Sequence, residues 1–323
     1  MLRKTANQAI DHTFAKHVLK GLSSPEKFLS YRYFYDARGD RLFQSIMASP
    51  EYYLTDCELE IFENRGDELA QALMTEGPCE LIELGSGDGL KTSLLLDALH
   101  EHHQDWVYRP VDISDNSLDL LQQRLIPGRP WLDFQAIHAD YMELLREFQP
   151  GGIRRVFMFL GSNLGNFTNR QAITFLRLIR SAMAPGDAFL VGLDLKKDPD
   201  VIRAAYNDAA GHTRDFNLNL LARINRELGG EFELELFEHV PDYDEDSGTA
   251  TSGVRSSIEQ NVRVAALNRV FHFSRGENIH MEISQKYDEA LIGDLSSASG
   301  FVVEKSFVDS RNYFTDQVWM CAD

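Results

Sequence analysis

Short apolar runs alternate with helical patterns through the middle of the chain. The first run, residues 81–84, ends in a glycine-rich turn, and leucines then recur at helical spacing. The predicted strands are residues 81–84, 108–112, 134–141, 155–160 and 188–194. Because helical patterns separate these runs, they predict the βα alternation of a parallel sheet.

The pattern changes on both sides of this region. Residues 1–60 predict amphipathic helices, and the simple alternation stops after Asp194. The segments predicted beyond it are a helix carrying Tyr206, strands at 233–240, 262–273 and 279–284, a mobile polar loop at 241–257, a helix at 287–300 and a closing hairpin at 301–322.

We therefore predict an α/β fold built from three parts. They are a helical segment at 1–60 that contributes to the active site, a sheet domain at 61–195 and 287–323, and an inserted α+β substrate domain at 196–286. The inserted domain is expected to act as a lid over the carboxyl edge of the sheet, where ligands bind in open α/β folds.

Composition narrows the possible partners. The 323 residues carry 32 basic and 50 acidic side chains, a net charge of −18, which argues against nucleic acid and anionic membranes. No apolar stretch predicts a membrane helix, and the polar N-terminal sequence has no signal-peptide core. Cys57, Cys79 and Cys321 predict reduced thiols of a cytoplasmic protein. No metal site is predicted, because the histidines near residue 100 have no supporting ligands.

The glycine-rich turn is the strongest chemical signal. Its spacing is G-x-G-x-G, with Leu90 where a dinucleotide fold wants a third small residue, and Glu83 lies two positions before the first glycine. Both features favour S-adenosylmethionine over NAD, because its zwitterionic amino-acid end replaces a pyrophosphate. We predict that Gly85, Ser86 and Gly87 bind this cofactor; the alternative is a tight turn without a ligand.

Acidic residues end the next two predicted strands. Asp112 stands where a carboxylate commonly binds ribose hydroxyls. Asp140 suits the exocyclic amine of an adenine, and the ring of Tyr141 beside it offers a stacking surface. Asn166 follows the fourth strand, where it either binds an amino-acid substrate or caps the next helix.

Other polar and aromatic residues predict a substrate pocket. Tyr35 and Tyr52 lie in loops around one short helix, with core packing as the alternative interpretation. Residues 279–284 alternate strictly, so Glu282 and Ser284 share one face of a strand. That face is either half-exposed surface or the polar floor of a pocket for a nitrogen-containing ring.

Several stretches together resemble the S-adenosylmethionine-dependent histidine Nα-methyltransferases of ergothioneine biosynthesis. The resemblance covers nearly the whole chain from about residue 25, inside and outside the cofactor region. The stretches that carry it are 33–39, 50–53, 83–87 with Lys91-Thr92, 159–162 with Gly165-Asn166, Tyr206 with 208–211, 237–240, 262–267 and 282–284.

The resemblance implies a Rossmann-like class I methyltransferase sheet whose last strand inserts antiparallel, and hercynine, the trimethyl betaine of L-histidine, as product. It implies cofactor contacts at Gly85, Lys91, Asp112, Asp140 and Tyr141. It implies an amino-acid pocket lined by Tyr35, Tyr52, Asn166, Tyr206, Glu282 and Ser284. The sequence departs from the family pattern at Asn163 and at Ser252-Gly253, near the expected substrate ring.

The expected reaction is displacement of a methyl group by a neutral amine, which must first lose a proton. Tyr35 and Tyr52 are the candidates to accept a hydrogen bond from that amine or to pass its proton to water, although a tyrosine with a pKa of about 10 is a weak base. The expected partner is one small amino acid, bound by a monomer. Alternatives are a related tryptophan Nα-methyltransferase and a non-catalytic S-adenosylmethionine-binding protein; Glu282 favours an imidazole over an indole.

Overall fold

The computed structural model describes residues 11–74, 77–102 and 105–322. Helices are present where the sequence predicts them, except that Tyr206 follows the last residue of its helix, Ala205. The part of the N-terminal pattern before residue 11 lies outside the described residues. The α-helices are α1 His12–Leu22, α2 Ala37–Met47, α3 Tyr53–Leu73, α4 Leu90–His102, α5 Asp115–Leu125, α6 Tyr141–Glu147, α7 Asn169–Ala182, α8 Pro199–Ala205, α9 His212–Leu228 and α10 Glu289–Ser299.

Strands form a large sheet, a three-stranded sheet and a separate hairpin. They are β1 Cys79–Leu84, β2 Trp106–Asp112, β3 Ile137–His138, β4 Arg154–Phe159, β5 Ala188–Asp194, β6 Phe237–Asp244, β7 Thr249–Ser256, β8 Gln260–Val264, β9 Arg269–Phe273, β10 Asn278–Gln285, β11 Phe301–Val308 and β12 Phe314–Cys321. Short 3₁₀ segments occur at Tyr31–Tyr33, Asn163–Asn166, Leu234–Leu236 and Ala265–Leu267.

The chain divides into two compact units. The sheet unit comprises Tyr53–Lys197 and the chain from Gln285 onward. The second unit comprises the chain up to Tyr52 together with Asp198–Ser284. The chain therefore passes from one unit to the other at three places, after Tyr52, after Lys197 and after Ser284.

The sheet unit has the strand order β11-β12-β5-β4-β1-β2-β3. Strands β1 to β5 pair in parallel, whereas β12 runs antiparallel to both β5 and β11. All seven residues of β5 are buried, as expected for a strand covered on both faces. The predicted Rossmann-like sheet with an inserted antiparallel last strand is confirmed. Of the predicted third strand only Ile137 and His138 are a strand, and Asp140 caps the helix that begins at Tyr141.

The second unit is built around helix α9. Its residues Phe216, Leu220 and Ile224 recur at helical spacing and are buried in one apolar cluster, which also contains side chains of α1 and of β7 to β10. Strands β10, β7 and β6 form its three-stranded sheet, and β8 pairs with β9.

Three predictions in this unit need correction. The strand predicted at 233–240 begins only at Phe237, after the 3₁₀ segment Leu234–Leu236. The stretch 241–257 is not a mobile loop, because β6 and β7 pair antiparallel from Phe237↔Ser256 to Asp244↔Thr249. The single strand predicted at 262–273 is a hairpin that turns at Asn268, which adopts a left-handed conformation with φ +47°. Polar residues on the outer faces of these strands weaken the apolar pattern on which strand prediction depends.

No helix among the described residues has the length and apolar character needed to cross a bilayer.

Candidate active site

The glycine loop between β1 and α4 has a backbone that requires glycine. Gly85, Gly87 and Gly89 have φ values of +74°, +54° and +69°, which L-residues with side chains rarely adopt. A Cβ on Gly89 would lie 2.1 Å from Leu121 Cδ1. Glycine is therefore required there because Leu121 packs against the loop backbone. A Cβ on Gly87 would meet no protein atom within 4 Å, so the space beside that residue is open to a ligand.

Glu83 is enclosed beneath this loop. It is 2% exposed, and its carboxylate accepts hydrogen bonds from Tyr108 Oη at 2.5 Å and Thr92 Oγ1 at 2.8 Å. Burial raises the pKa of Glu83 to about 7, although both hydrogen bonds act to lower it. The side chain therefore joins β1 to β2 and α4.

The acidic strand ends of β2 and β3 are neighbours in the sheet. Asp112 is paired with His138, and Ala139 N donates to Asp112 O at 3.1 Å. Burial raises the pKa of the Asp112 carboxyl, while the Ser114 backbone amide donates to it at 2.9 Å. Asp140 caps α6 by accepting from Met142 N at 2.8 Å. The structure thus brings Asp112 and Asp140 to one edge of the sheet.

The ring of Tyr141 is held at the same edge by aromatic contacts. Its centroid lies 5.8 Å from those of Phe159 and Phe175, in both cases edge-to-face. Such packing limits the rotation of the ring and leaves its orientation defined before any ligand binds.

Glu58 is a residue of this site that the sequence did not reveal. The Thr55-Asp56-Cys57-Glu58 stretch has the sequence pattern of a capping box, but α3 already begins at Tyr53, so Glu58 does not cap this helix. One carboxylate oxygen of Glu58 forms an ion pair with Lys91, and the other accepts from Gly161 N at 2.7 Å. Glu58 therefore fixes Lys91, a predicted cofactor contact, to the loop after β4.

A second carboxyl group lies close to this ion pair. Asp316 of β12 is fully buried, and burial, followed by the negative charge of Glu58, raises its pKa well above the usual range. A Cβ on Gly192 would lie 2.6 Å from Glu58 Oε1 and 3.2 Å from Asp316 Oδ1. Glycine at this point of β5 therefore makes room for both carboxyl groups.

Asn166 ends the 3₁₀ segment that follows β4. The helix cap after it is Thr168, whose hydroxyl accepts from Gln171 N at 3.4 Å in a complete capping box. The capping interpretation of Asn166 is therefore wrong. Asn163, the departure from the family pattern, donates from Nδ2 to Leu160 O at 2.8 Å and closes the loop.

The second unit contains the other predicted substrate residues. Tyr206 Oη donates to Ser284 Oγ at 2.7 Å, and Ser284 is 7% exposed on β10. Glu282 lies two residues earlier on the same strand and is half-buried. Tyr52 packs edge-to-face on Phe43, with ring centroids 6.3 Å apart.

Tyr35 lies within the electrostatic influence of Glu282 and Tyr52. The pKa of Tyr35 is raised well above its ordinary value. The largest cause is loss of water around the hydroxyl, followed by the negative charge of Glu282 and then by Tyr52. The residue as a whole is 42% exposed. The ring rests edge-to-face on Phe43 and Phe216, at centroid distances of 5.6 and 5.7 Å. The raised pKa therefore favours the neutral phenol of Tyr35 at physiological pH.

Ser252 and Gly253 lie in β7, beside β10. A Cβ on Gly253 would lie 2.6 Å from Ile279 O, so the close approach of the two strands requires glycine there. Both residues line a cleft of about 330 Å³ within the second unit, together with Asp242, Asn278 and His280. Local strand packing therefore accounts for the glycine in this departure from the family pattern.

The strand order, the glycine loop and the acidic strand ends define a class I S-adenosylmethionine-dependent methyltransferase. The chain belongs to the family of histidine-specific, S-adenosylmethionine-dependent methyltransferases, whose model matches residues 14–321. The predicted family, cofactor and enzyme class are confirmed.

Two similar proteins are named for histidine methylation, and a third is named for ergothioneine biosynthesis. The chain is 37% identical over 284 residues to the histidine N-alpha-methyltransferase of Mycolicibacterium smegmatis, covering 88% of this chain and 87% of that protein. It is 36% identical over 285 residues to the enzyme of that name from Mycobacterium tuberculosis, covering 88% of each. It is 30% identical to ergothioneine biosynthesis protein 1 of Schizosaccharomyces pombe over 71% of this chain and 30% of that protein.

Proposed function

We propose that this protein transfers methyl groups from S-adenosylmethionine to the α-amino nitrogen of L-histidine, up to the trimethyl betaine hercynine, in ergothioneine biosynthesis. The observation that carries the proposal is that two polar residues, Glu282 and Ser284, lie on β10. The chain belongs to a histidine-specific family. Ser284 is joined to Tyr206 at 2.7 Å, and Glu282 lies two residues away on the same strand. A carboxylate and a hydroxyl together match the two ring nitrogens of an imidazole.

The sheet unit fits the cofactor. Open space beside Gly87 admits a ligand to the loop backbone, and Lys91 offers a positive charge to the carboxylate of a methionine group. Asp112 would bind the ribose hydroxyls, and Asp140 and Tyr141 the adenine. When bound, S-adenosylmethionine supplies an electrophilic methyl group on a sulfonium.

The residues of this chain would bind, orient and desolvate the amine, which is sufficient for a displacement reaction. We assign Asn166 and Tyr206 to the carboxylate of the amino acid, and Glu282 and Ser284 to its imidazole. Tyr35 and Tyr52 would accept a hydrogen bond from the amine or pass its proton to water. Because the pKa of Tyr35 is raised, this phenol acts in its neutral form.

The proposal also covers the location, the oligomeric state and the partners of the enzyme. We assign it to the cytoplasm as a monomer that acts on one small amino acid without nucleic acid. Its three cysteines are free, as expected for a reducing compartment. The acidic net charge of −18 gives no basic surface for a polyanion.

A substrate panel tests the function. The purified protein is incubated with methyl-labelled S-adenosylmethionine and histidine, tryptophan, tyrosine or phenylalanine, and the products are resolved by mass spectrometry. Histidine should give the highest kcat/KM, with mono-, di- and trimethylated products in sequence. Preference for tryptophan would contradict the substrate assignment, and cofactor binding without turnover of any amino acid would indicate a non-catalytic protein.

A further inference from the structure

Asp194, the last residue of β5, is a buried carboxylate that binds three side chains at once. It is 0% exposed. Tyr53 Oη donates to it at 2.9 Å and Lys286 Nζ at 2.7 Å, and Lys197 forms an ion pair with its other oxygen. The side chains of Lys197 and Lys286 are 2% and 0% exposed.

The three donors, Tyr53, Lys197 and Lys286, each lie within two residues of a point where the chain passes from one unit to the other. Tyr53 is the first residue of the sheet unit after the first passage, and Lys197 is the last residue before the second. Lys286 is the second residue after the third passage. One carboxylate inside the sheet unit therefore holds the ends of all three connecting segments.

The backbone around Asp194 reinforces the same arrangement. Its carbonyl accepts from Tyr287 N at 2.8 Å, and Lys196 N donates to Tyr287 O at 2.7 Å. Its own amide donates to Ser162 Oγ at 3.1 Å. The position of the carboxylate is therefore set by β5 itself and by the segment that follows β10.

Burying two ammonium groups beside one carboxylate removes three charged groups from water, and the free energy of desolvation opposes folding. Burial lowers the pKa of Lys197 to about 8, since desolvation and the charge of Lys286 outweigh the attraction of Asp194. Apolar residues of similar size would often stabilise such a position as well or better. Fixed geometry therefore explains this charged cluster better than added stability does.

We propose that Asp194 is a positioning residue for amino-acid binding. By holding Tyr53 and Lys286 it fixes Tyr52, next to Tyr53 in the chain, and Ser284, two residues before Lys286. The proposed function assigns both Tyr52 and Ser284 to the substrate. The inference rests on that proposed function. The cofactor residues Gly85–Gly87 follow β1, and the carboxylate that links β1 to β2 and α4 is Glu83, not Asp194. Loosening Asp194 should therefore affect the two ligands unequally.

Tyr53→Phe is the sharpest test, because it removes one hydroxyl bonded to Asp194. Its matched control is Tyr287→Phe, which removes a buried hydroxyl that has no hydrogen-bond partner among the described residues. Tyr53→Phe should raise KM for histidine about fivefold or more, with the Kd and KM of S-adenosylmethionine within about twofold of wild type. Tyr287→Phe should leave all three constants within about twofold.

Asp194→Asn extends the test, because it keeps the shape of the side chain but leaves two buried ammonium groups without their counter-charge. It should show the same selective rise in KM for histidine, larger than that of Tyr53→Phe. If it does not fold, the Tyr53→Phe and Tyr287→Phe pair still decides the question. Equal losses for both ligands, or no change in KM for histidine, would overturn the positioning role. Failure of the wild type to methylate histidine would instead contradict the proposed function.

Discussion

Tyr108 donates a hydrogen bond of 2.5 Å to Glu83, a residue whose burial raises its pKa to about 7 despite this contact. The folded protein holds the Glu83 proton up to about pH 7, whereas a free glutamate releases it near 4.5. Between these values the folded state binds more protons than the unfolded chain. The contribution of Glu83 to the free energy of unfolding must therefore fall as the pH rises through this window.

Glu83→Gln should remove this pH dependence, because glutamine imitates the neutral carboxyl group. The free energy of unfolding of the wild type, relative to the variant, should fall by about 3 kcal/mol between pH 4.5 and 7 and stay level above it. Denaturant titrations of both proteins at several pH values measure the difference. A constant difference across the window would show that Glu83 titrates normally in the folded protein.

Gly87→Val should weaken S-adenosylmethionine binding by more than about tenfold. The Cβ meets no protein atom within 4 Å, so the added side chain occupies the space proposed for the ligand. Gly128→Val is the control, because Gly128 also has a positive φ, +88°, and an open Cβ position, away from the loop. Titration calorimetry measures both affinities. Equal cofactor affinity in Gly87→Val and the wild type would place the cofactor elsewhere.

Glu282→Ala should lower kcat/KM for histidine by at least about tenfold, equivalent to about 1.4 kcal/mol, because a charge-assisted hydrogen bond to the imidazole is lost. The ratio of histidine to tryptophan turnover should fall as well. Glu282→Gln separates charge from shape, since it keeps the length of the side chain and should lose less activity. Unchanged histidine turnover in Glu282→Ala would refute the assignment of the pocket.

Lys197→Met should alter the alkaline stability of the protein. The folded-state pKa of Lys197 is about 8 and the unfolded value 10.5, so the unfolded chain binds more protons between these values. The wild type should therefore gain about 3 kcal/mol of stability, relative to the variant, as the pH rises from 8 to 10.5. Thermal unfolding across this range measures the effect; parallel curves for the two proteins would contradict it.

The sequence by itself determined the sheet unit, because its signals are local. The apolar run 188–194 predicts β5 with the bounds that the structure shows, and three glycines identify the turn after β1. Ser114, a residue type favoured at helix N-termini, caps α5, with its hydroxyl accepting from Ser117 N at 3.2 Å. Strand period, turn residues and caps all act within a few positions along the chain, so they can be read without the fold.

Only the tertiary structure decided the roles of Glu58 and Asp194. Glu58 lies 103 positions from Gly161, and Tyr53 lies 141 positions from Asp194. No local pattern distinguishes a carboxylate on a solvated helix face from one that is buried against a lysine far along the chain. The β6–β7 hairpin was missed for a related reason, because its polar composition imitates a loop until pairing satisfies its backbone. Burial and long-range partners give these residues their charge state and their contacts, and both exist only in the folded chain.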